Sequence, residues 1–212
     1  LLDTQPHESP SPKRPVIVRL LRRFRAHRTP IYGLAFAPDT GYLVSSSFDN
    51  EVIWWDAHHG ERVRRLRVET SSIATVRALR DERVVAAGAA ENQVTVSRVS
   101  ALGVDSWRRT SPEWVSCLAI SSDGAAVATG SVHRGLVVSR AEDGKALFTR
   151  HDHTQSVTAV AYSADGRFLA SGSADATVKL RHAESGAVLH TFTALRSAVT
   201  AIAFSPDGAF LT

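Results

Sequence analysis

The sequence is poor in sulfur and has no long hydrophobic run. Its 212 residues include no methionine and a single cysteine, Cys117. One cysteine excludes an internal disulfide, which suits a reducing compartment. No apolar stretch approaches the roughly 18 residues that a membrane-spanning helix needs, and the first residues lack the basic start and apolar centre of a signal peptide. We therefore expect an intracellular protein, located in the cytoplasm, that does not insert into a membrane.

Apart from these gaps, the composition is that of an ordinary globular domain, with 43% hydrophobic and 22% charged residues. Basic residues exceed acidic ones by 25 to 21, which gives a formal net charge of +4. Prolines are concentrated at the start, at positions 6, 10, 12 and 15. Such a segment cannot bury enough apolar surface to fold. We therefore predict a Pro-rich tail or linker over 1–15.

A repeat organises the remaining chain. Residues 26–56 contain three short apolar runs, IYGLAF, YLVSSS and EVIWW, separated by turn signals rich in Pro, Asp, Gly and Asn. Runs of this kind predict β-strands joined by hairpins. The turn aspartate recurs every 42 residues, as Asp39, Asp81, Asp123, Asp165 and Asp207. A period of about 40 to 45 residues, with three or four strands in each unit, is typical of the blades of a β-propeller.

The repeats resemble those of WD40 repeat proteins. His27, AFAPDTGYLVSSSFDNEVIWWD, SVTAVAYSADGRFLASGSADATVKL and TAIAFSPDG match that family's pattern, and the resemblance extends over 16–212. It implies an all-β, WD40-type β-propeller with about five blades' worth of strands. We assign an outer strand to 16–25, blades to 26–67, 68–109, 110–151 and 152–193, and a partial blade to 194–212. We expect an incomplete ring and a longer parent protein, or a partner chain that completes the ring.

The resemblance also implies a hydrogen-bonded tetrad of His, Ser or Thr, Asp and Trp in each well-formed blade. The first blade has His27, Ser45, Asp49 and Trp55, and the fourth has His153, Ser171 and Asp175. Arg181 stands at the Trp position of the fourth blade, where it is expected to pair with Asp175 or to extend outward. The second and third blades lack the tetrad. A buried carboxylate is costly unless it accepts hydrogen bonds, so we predict a structural role for these residues.

A catalytic or metal-binding role is not predicted. The Ser, His and Asp of the first blade invite comparison with a hydrolase, but the repeat explains their spacing and no G-x-S-x-G motif surrounds Ser45. His151, Asp152 and His153 invite a metal, but His153 is already assigned to the tetrad, which leaves too few ligands. We therefore predict that the chain is not an enzyme and has neither a metal nor a cofactor.

Candidate partner contacts follow from the resemblance, because in WD40 proteins the narrow face around the channel commonly binds peptides. The matching positions here include Tyr32, Phe48, Ser116, Val132, Thr158 and Ala174. Tyr32 and Phe48 are the aromatic pair among these positions, which favours them as a contact patch. The alternative is that both rings only pack against neighbouring loops.

Arginines form a second candidate surface near the outer strands. We call this set the basic rim: Arg22, Arg23, Arg25, Arg62, Arg64 and Arg65. The basic rim is expected to attract acidic protein surfaces or peptides. The alternative is that its charges only prevent edge-to-edge pairing of strands. Nucleic acid is the weaker partner, because it requires a continuous basic face with stacking aromatics.

Three functions are consistent with the sequence. The leading hypothesis is a non-catalytic scaffold that mediates protein–protein interactions as a subunit of a multiprotein complex. The second is the sensor or regulatory part of a larger signalling ATPase or kinase. The third is a subunit of an RNA-associated ribonucleoprotein, which would require binding that weakens steeply with salt.

Overall fold

The computed structural model describes residues 23–24, 27–37, 41–68, 73–79, 84–90, 93–100, 103–111, 113–193 and 196–212. These residues form sixteen β-strands. These residues contain no helix. The strands are β1 Ile31–Phe36, β2 Tyr42–Ser47, β3 Glu51–Asp56, β4 Arg62–Arg67, β5 Ile73–Ala78, β6 Val84–Ala90, β7 Gln93–Ser100, β8 Gly103–Thr110, β9 Val115–Ile120, β10 Ala126–Ser131, β11 Leu136–Arg140, β12 Ala146–Arg150, β13 Val157–Tyr162, β14 Phe168–Ser173, β15 Val178–His182 and β16 Val188–Phe192.

Each set of four consecutive strands forms one antiparallel sheet in chain order, so the described residues form four meanders. The first strand of each sheet contacts the first strand of the next: β1 contacts β5, β5 contacts β9, and β9 contacts β13. The four sheets are therefore successive blades around these inner strands. The prediction of an all-β, WD40-type propeller with an incomplete ring is confirmed for the described residues.

The hydrophobic core lies between neighbouring sheets. Val44 and Trp54 of the first sheet pack with Val76 and Ala78 of the second, and all four are buried. Burying each large aliphatic side chain contributes about 1.5–3 kcal/mol. On the opposite face of the first sheet, Leu34 and Phe36 of β1 are 62% and 72% exposed, whereas Ile53 and Trp55 of β3 are buried.

The same turn closes the first hairpin of the later repeats. The Ser121 hydroxyl donates to Asp123 Oδ1 at 2.5 Å, and the backbone N–H of Ala126 donates to Ser121 Oγ at 2.9 Å. Gly124 adopts a φ of +74°, a left-handed conformation that glycine accepts without strain. Equivalent bonds form at Ser163 with Asp165 and at Ser205 with Asp207. The recurring turn explains why an aspartate stands at positions 123, 165 and 207 of successive repeats; Asp39 and Asp81 lie outside the described residues.

Parts of the predicted organisation differ from the structure or lie outside it. The final repeat has no regular strand between Val199 and Phe204, and only the bridge between Phe204 and Leu211 forms. An isolated pair of strands is marginally stable, which accounts for the difference. The predicted tail 1–15 lies outside the described residues. Of the predicted outer strand 16–25 only Arg23 and Phe24 are described, and neither lies in a strand. None of the described residues belongs to a helix long and apolar enough to cross a membrane.

Candidate functional site

A continuous hydrogen-bond chain links the four polar residues of the first sheet. The indole Nε1–H of Trp55 donates to Ser45 Oγ at 2.8 Å, and Ser45 Oγ lies 2.7 Å from His27 Nε2. His27 Nδ1 lies 3.0 Å from Asp49 Oδ2. Because the Asp49 carboxylate can only accept, the Nδ1–H of His27 donates to it; Nε2 of that tautomer then accepts from the Ser45 hydroxyl, whose oxygen accepts from the indole. These hydrogen bonds connect the loop before β1 to the turn between β2 and β3.

Asp49 is saturated with hydrogen bonds. Besides His27, it accepts from the backbone N–H groups of Arg28 at 3.0 Å and Glu51 at 3.1 Å. Burial favours the protonated carboxyl, but the Arg28 N–H and the His27 ring outweigh that effect and hold the pKa of Asp49 below its ordinary value. Ser45 is only 1% exposed, so its hydroxyl cannot reach a substrate. The group has the geometry of an internal tie between two loops.

The fourth sheet repeats this geometry without tryptophan. His153 Nδ1 lies 3.2 Å from Asp175 Oδ2, and His153 Nε2 lies 3.0 Å from Ser171 Oγ. The Thr177 hydroxyl donates to Asp175 Oδ1 at 2.6 Å, and the Thr154 N–H donates to Oδ2 at 2.8 Å. Burial opposes ionisation of Asp175, but these donors outweigh it and lower its pKa. Burial also lowers the pKa of His153, which keeps its ring neutral.

Arg181 replaces the tryptophan in an unexpected way. Its guanidinium donates from both terminal nitrogens to the Asp152 carboxylate, at 2.8 and 2.6 Å, and the side chain is fully buried. The expectation that Arg181 would pair with Asp175 or extend outward was therefore wrong. Asp175 already accepts bonds from His153 and two threonines, whereas the Asp152 carboxylate accepts from Arg181 alone among the bonds described. Burial disfavours the charge on Asp152, but Arg181 outweighs it and lowers the pKa of Asp152.

In the third sheet, a hydrogen bond between Ser131 and Glu113 connects the loop before β9 to the turn after β10. The Ser131 hydroxyl donates to a Glu113 carboxylate oxygen, and the Gly135 N–H donates to Ser131 Oγ at 2.9 Å. Ser139, at the position of the tryptophan, is buried and its hydroxyl has no partner among the described residues. In the second sheet, Ser97 Oγ lies 2.7 Å from Ser106 Oγ. Glu69 and Glu91, which stand at the positions of His27 and Asp49 in this repeat, lie outside the described residues.

His27, Asp49 and Glu51 are close enough together to suggest a metal site, since each offers a ligand atom and these atoms lie within 4.8 Å of one another. Both ring nitrogens of His27 are engaged in hydrogen bonds, however, and one Glu51 oxygen accepts from Arg65. The other Glu51 oxygen is buried without a hydrogen-bond partner among the described residues, but one free oxygen cannot hold a metal ion while both ring nitrogens of His27 and both oxygens of Asp49 are engaged.

The loops before each inner strand and the turns between the second and third strands lie at one edge of the blades. The Val132 N–H donates to the Trp114 carbonyl at 3.0 Å, and the Ala174 N–H donates to the Ser156 carbonyl at 2.9 Å. The Ser156 hydroxyl donates to the Val132 carbonyl at 2.7 Å and so joins the third sheet to the fourth. We call this edge the loop face; its described loops are 27–30, 48–50, 113–114, 132–134, 151–156 and 174–176.

Two aromatic rings stack on the loop face. The Tyr32 and Phe48 ring centroids lie 4.0 Å apart with an interplanar angle of 13°. Tyr32 is 54% exposed and Phe48 is 41% exposed. The rings cover one face of each other and leave the outer faces accessible.

The remaining predicted contact positions differ in what they present. The Ser116 hydroxyl donates to the Val157 carbonyl and connects β9 to β13, and the Thr158 hydroxyl donates to the Val199 carbonyl and connects β13 to the final repeat. Val132 is exposed and Ala174 is half-buried.

Sequence reasoning missed Trp114, which is 61% exposed on the loop face. Trp114 directly precedes β9, at the position that holds Pro30 in the first repeat and Ser156 in the fourth. A tryptophan at a position occupied elsewhere by small residues was the available signal.

The basic rim is partly engaged within the protein. Arg65 pairs with Glu51, and the Arg64 guanidinium lies 5.4 Å from the centroid of the Trp54 ring. Arg23 and Arg62 are exposed. Arg22 and Arg25 lie outside the described residues.

Two family models match the chain. One, described as WD domain, G-beta repeat, matches residues 18–56. The other, described as Anaphase-promoting complex subunit 4 WD40 domain, matches residues 127–207. The first match includes β1 to β3, and the second includes most of the third and fourth sheets. Together with the four-stranded sheets arranged as blades, these matches show that the chain is a WD40 repeat protein.

Proposed function

We propose that this chain is a non-catalytic scaffold that binds other proteins through its loop face within a larger assembly. WD40 repeats generally mediate protein–protein interactions, and WD40 domains are typically non-catalytic. One of the matching family models is named for a subunit of the anaphase-promoting complex, which agrees with a role in a multiprotein assembly. The basic rim supplies a further surface for acidic protein partners.

The observation that carries the proposal is the stacked, exposed pair of Tyr32 and Phe48. Aromatic residues are enriched among the side chains that dominate binding energy at protein interfaces. The pair is also held in place before any partner binds, because Phe48 precedes Asp49, which the hydrogen-bond chain from His27 fixes. Side chains that are already ordered lose less conformational entropy on binding.

The buried state of the polar residues supports the non-catalytic part of the proposal. Ser45 and Ser171 are almost completely buried, and their hydroxyls are bonded to His27 and His153. A nucleophile must reach the reacting atom of its substrate, and these hydroxyls do not reach solvent.

Selection from a random peptide library displayed on phage tests the loop face. We expect selected peptides to lose at least about tenfold in affinity for the double variant Tyr32→Ala with Phe48→Ala, as is typical when two interface aromatics are truncated. The matched control is Leu147→Ala with Leu189→Ala, because these side chains are 49% and 45% exposed on outer strands. Thermal unfolding of both double variants shows whether they remain folded. Peptides that bind the folded variant lacking both rings as tightly as the original chain would refute the proposal.

A further inference from the structure

The acidic side chains in the described loops of the loop face are used inside the protein. Asp49 and Asp175 accept bonds from their histidines and from backbone N–H groups. Asp152 pairs with Arg181, and Glu113 accepts from Ser131. The negative charge on this face is therefore largely neutralised or bonded by the protein's own groups.

The arginines of the same face are in the opposite situation. Arg28 and Arg134 are exposed, and their guanidinium groups have no hydrogen-bond or ion-pair partner in the part of the chain that the structure describes. Arg28 lies beside the aromatic pair, because its own N–H bonds to the residue that follows Phe48. Arg134 lies in the turn that also carries Val132, with a φ of +76°. The loop face thus presents unpaired positive charge next to exposed apolar side chains.

Two patches of similar composition combine these features. The first patch consists of Tyr32, Phe48 and Arg28 on the first sheet. The second patch consists of Trp114, Val132 and Arg134 on the third sheet, where the Val132 N–H bonds to the Trp114 carbonyl. Val132 and Phe48 occupy the same position in their repeats, 84 residues apart, and both are exposed. Each patch therefore offers an apolar contact surface and a guanidinium at its margin.

We infer that the loop face binds an acidic peptide segment of a partner protein, in which apolar anchor residues alternate with Asp or Glu. This inference rests on the proposed function and adds the chemistry of the partner. The apolar anchors contact the rings of the two patches, and the carboxylates accept paired N–H bonds from the arginines. Unpaired arginines beside desolvated apolar contacts favour such a segment and disfavour a basic one.

Single-stranded RNA also combines negative charge with flat groups that stack, but the geometry favours a peptide. Tyr32 and Phe48 each have one ring face covered by the other. Binding of single-stranded nucleic acid uses successive open aromatic faces along a continuous basic groove. Arg28 and Arg134 lie on different sheets, the first and the third, and the described loops around them carry acidic groups that are engaged with the protein itself.

Peptides selected on the original chain provide the test. We expect the selected sequences to be enriched in Asp and Glu next to aromatic or aliphatic residues. Each is resynthesised with a fluorescent label and with Gln or Asn at its acidic positions, and fluorescence polarisation should show at least about tenfold weaker binding. The double variant Arg28→Gln with Arg134→Gln should weaken the acidic form similarly. Lys145→Gln is the control, because Lys145 is an exposed cation in a turn at the opposite edge of the third sheet.

The outcomes separate the two proposals. If Tyr32→Ala with Phe48→Ala abolishes binding, but the selected peptides are neutral or basic, or the Gln and Asn forms bind equally well, the acidic-segment inference is wrong and the proposed function stands. If the aromatic substitutions have no effect, the proposed function fails and this inference fails with it. Equal competition by single-stranded oligouridine RNA would also overturn the assignment of an acidic peptide.

Discussion

Asp152→Asn tests the buried arginine of the fourth sheet. The substitution keeps the shape of the side chain and removes the charge that balances Arg181, whose side chain is 0% exposed. Removing one partner of a buried ion pair costs about 3–5 kcal/mol. The Asp152 side chain is 35% exposed, so water and the remaining amide oxygen replace part of the lost bonding. We therefore expect a loss of about 2 kcal/mol, near the value of a hydrogen bond to a charged group.

A double-mutant cycle separates the ion pair from other effects of the substitution. Arg181→Met replaces the buried guanidinium with an apolar side chain, while Asp152, which is 35% exposed, keeps a carboxylate that water can solvate. In the Arg181→Met background, Asp152→Asn should cost less than about 0.5 kcal/mol, because no buried charge remains to be balanced. The coupling energy between the two positions is then about 1.5 kcal/mol or more, as is found for residues in direct contact.

Thermal and urea unfolding measure the cycle. For a chain of 212 residues, a loss of about 2 kcal/mol lowers the melting temperature by about 4–8 °C. Asp143→Asn is the matched control, because Asp143 pairs with Arg140 at the surface, with side chains 46% and 43% exposed. Exposed pairs contribute about 0–1 kcal/mol, so the control should change little. Equal losses from Asp152→Asn in the original chain and in the Arg181→Met background would refute the role assigned to this pair.

Three further substitutions test the ties and the packing between blades. Asp49→Ala leaves His27 and two backbone N–H groups without an acceptor and should lower the free energy of unfolding in urea by about 2–4 kcal/mol. The control Asp105→Ala, at a side chain 69% exposed, should lower it by under about 1 kcal/mol. Equal losses would contradict the structural role assigned to Asp49. Because the folded pKa of His153 lies below 6.5, the unfolded chain binds more protons as pH falls below that value, so stability should decrease from about pH 6.5 toward pH 5. His153→Gln should reduce the change of stability with pH over this range, and an unchanged pH dependence would show that His153 does not cause it. In Gly130→Ala the new methyl would lie 2.5 Å from Cys117 Sγ and 2.7 Å from Val157 Cγ1, which should cost about 1–3 kcal/mol. In a chain that carries both Cys117→Ala and Val157→Ala the same substitution should cost less, and an equal cost would argue against a clash at this site.

The strand arrangement was predictable because its causes are local. The turn built from Ser121, Asp123 and Gly124 depends on bonds within five residues, so its sequence pattern recurs wherever the turn recurs. Alternating apolar residues on either side of these turns then define strands. The final repeat was harder to predict, because the strand expected from Val199 to Phe204 needs more pairing than the bridge at Phe204 supplies.

The details of the candidate site depend on non-local competition for partners and could not be read from the sequence. Arg181 bonds to Asp152 because the acceptors of Asp175 are occupied by groups that only the fold brings together. The exposure of Trp114 likewise depends on the path of its loop relative to the neighbouring turn. A repeat pattern predicts the role of a residue from its position in the repeat. It therefore does not identify Trp114, which differs from the residues at the same position in the other repeats.

The hydrogen-bonded polar residues, which we call the ties, are adjacent in sequence to the exposed patches, and we expect them to affect peptide binding. All four sheets have the same strand order although only the first has the complete set of polar residues, so the ties are not needed for strand pairing. What they fix is the position of the loops: Asp49 holds the turn that presents Phe48, and Ser131, bonded to Glu113, holds the turn that presents Val132. Ordering these turns in advance lowers the entropy lost on binding. A change that breaks a tie should therefore weaken peptide binding at its patch even where the sheet remains folded.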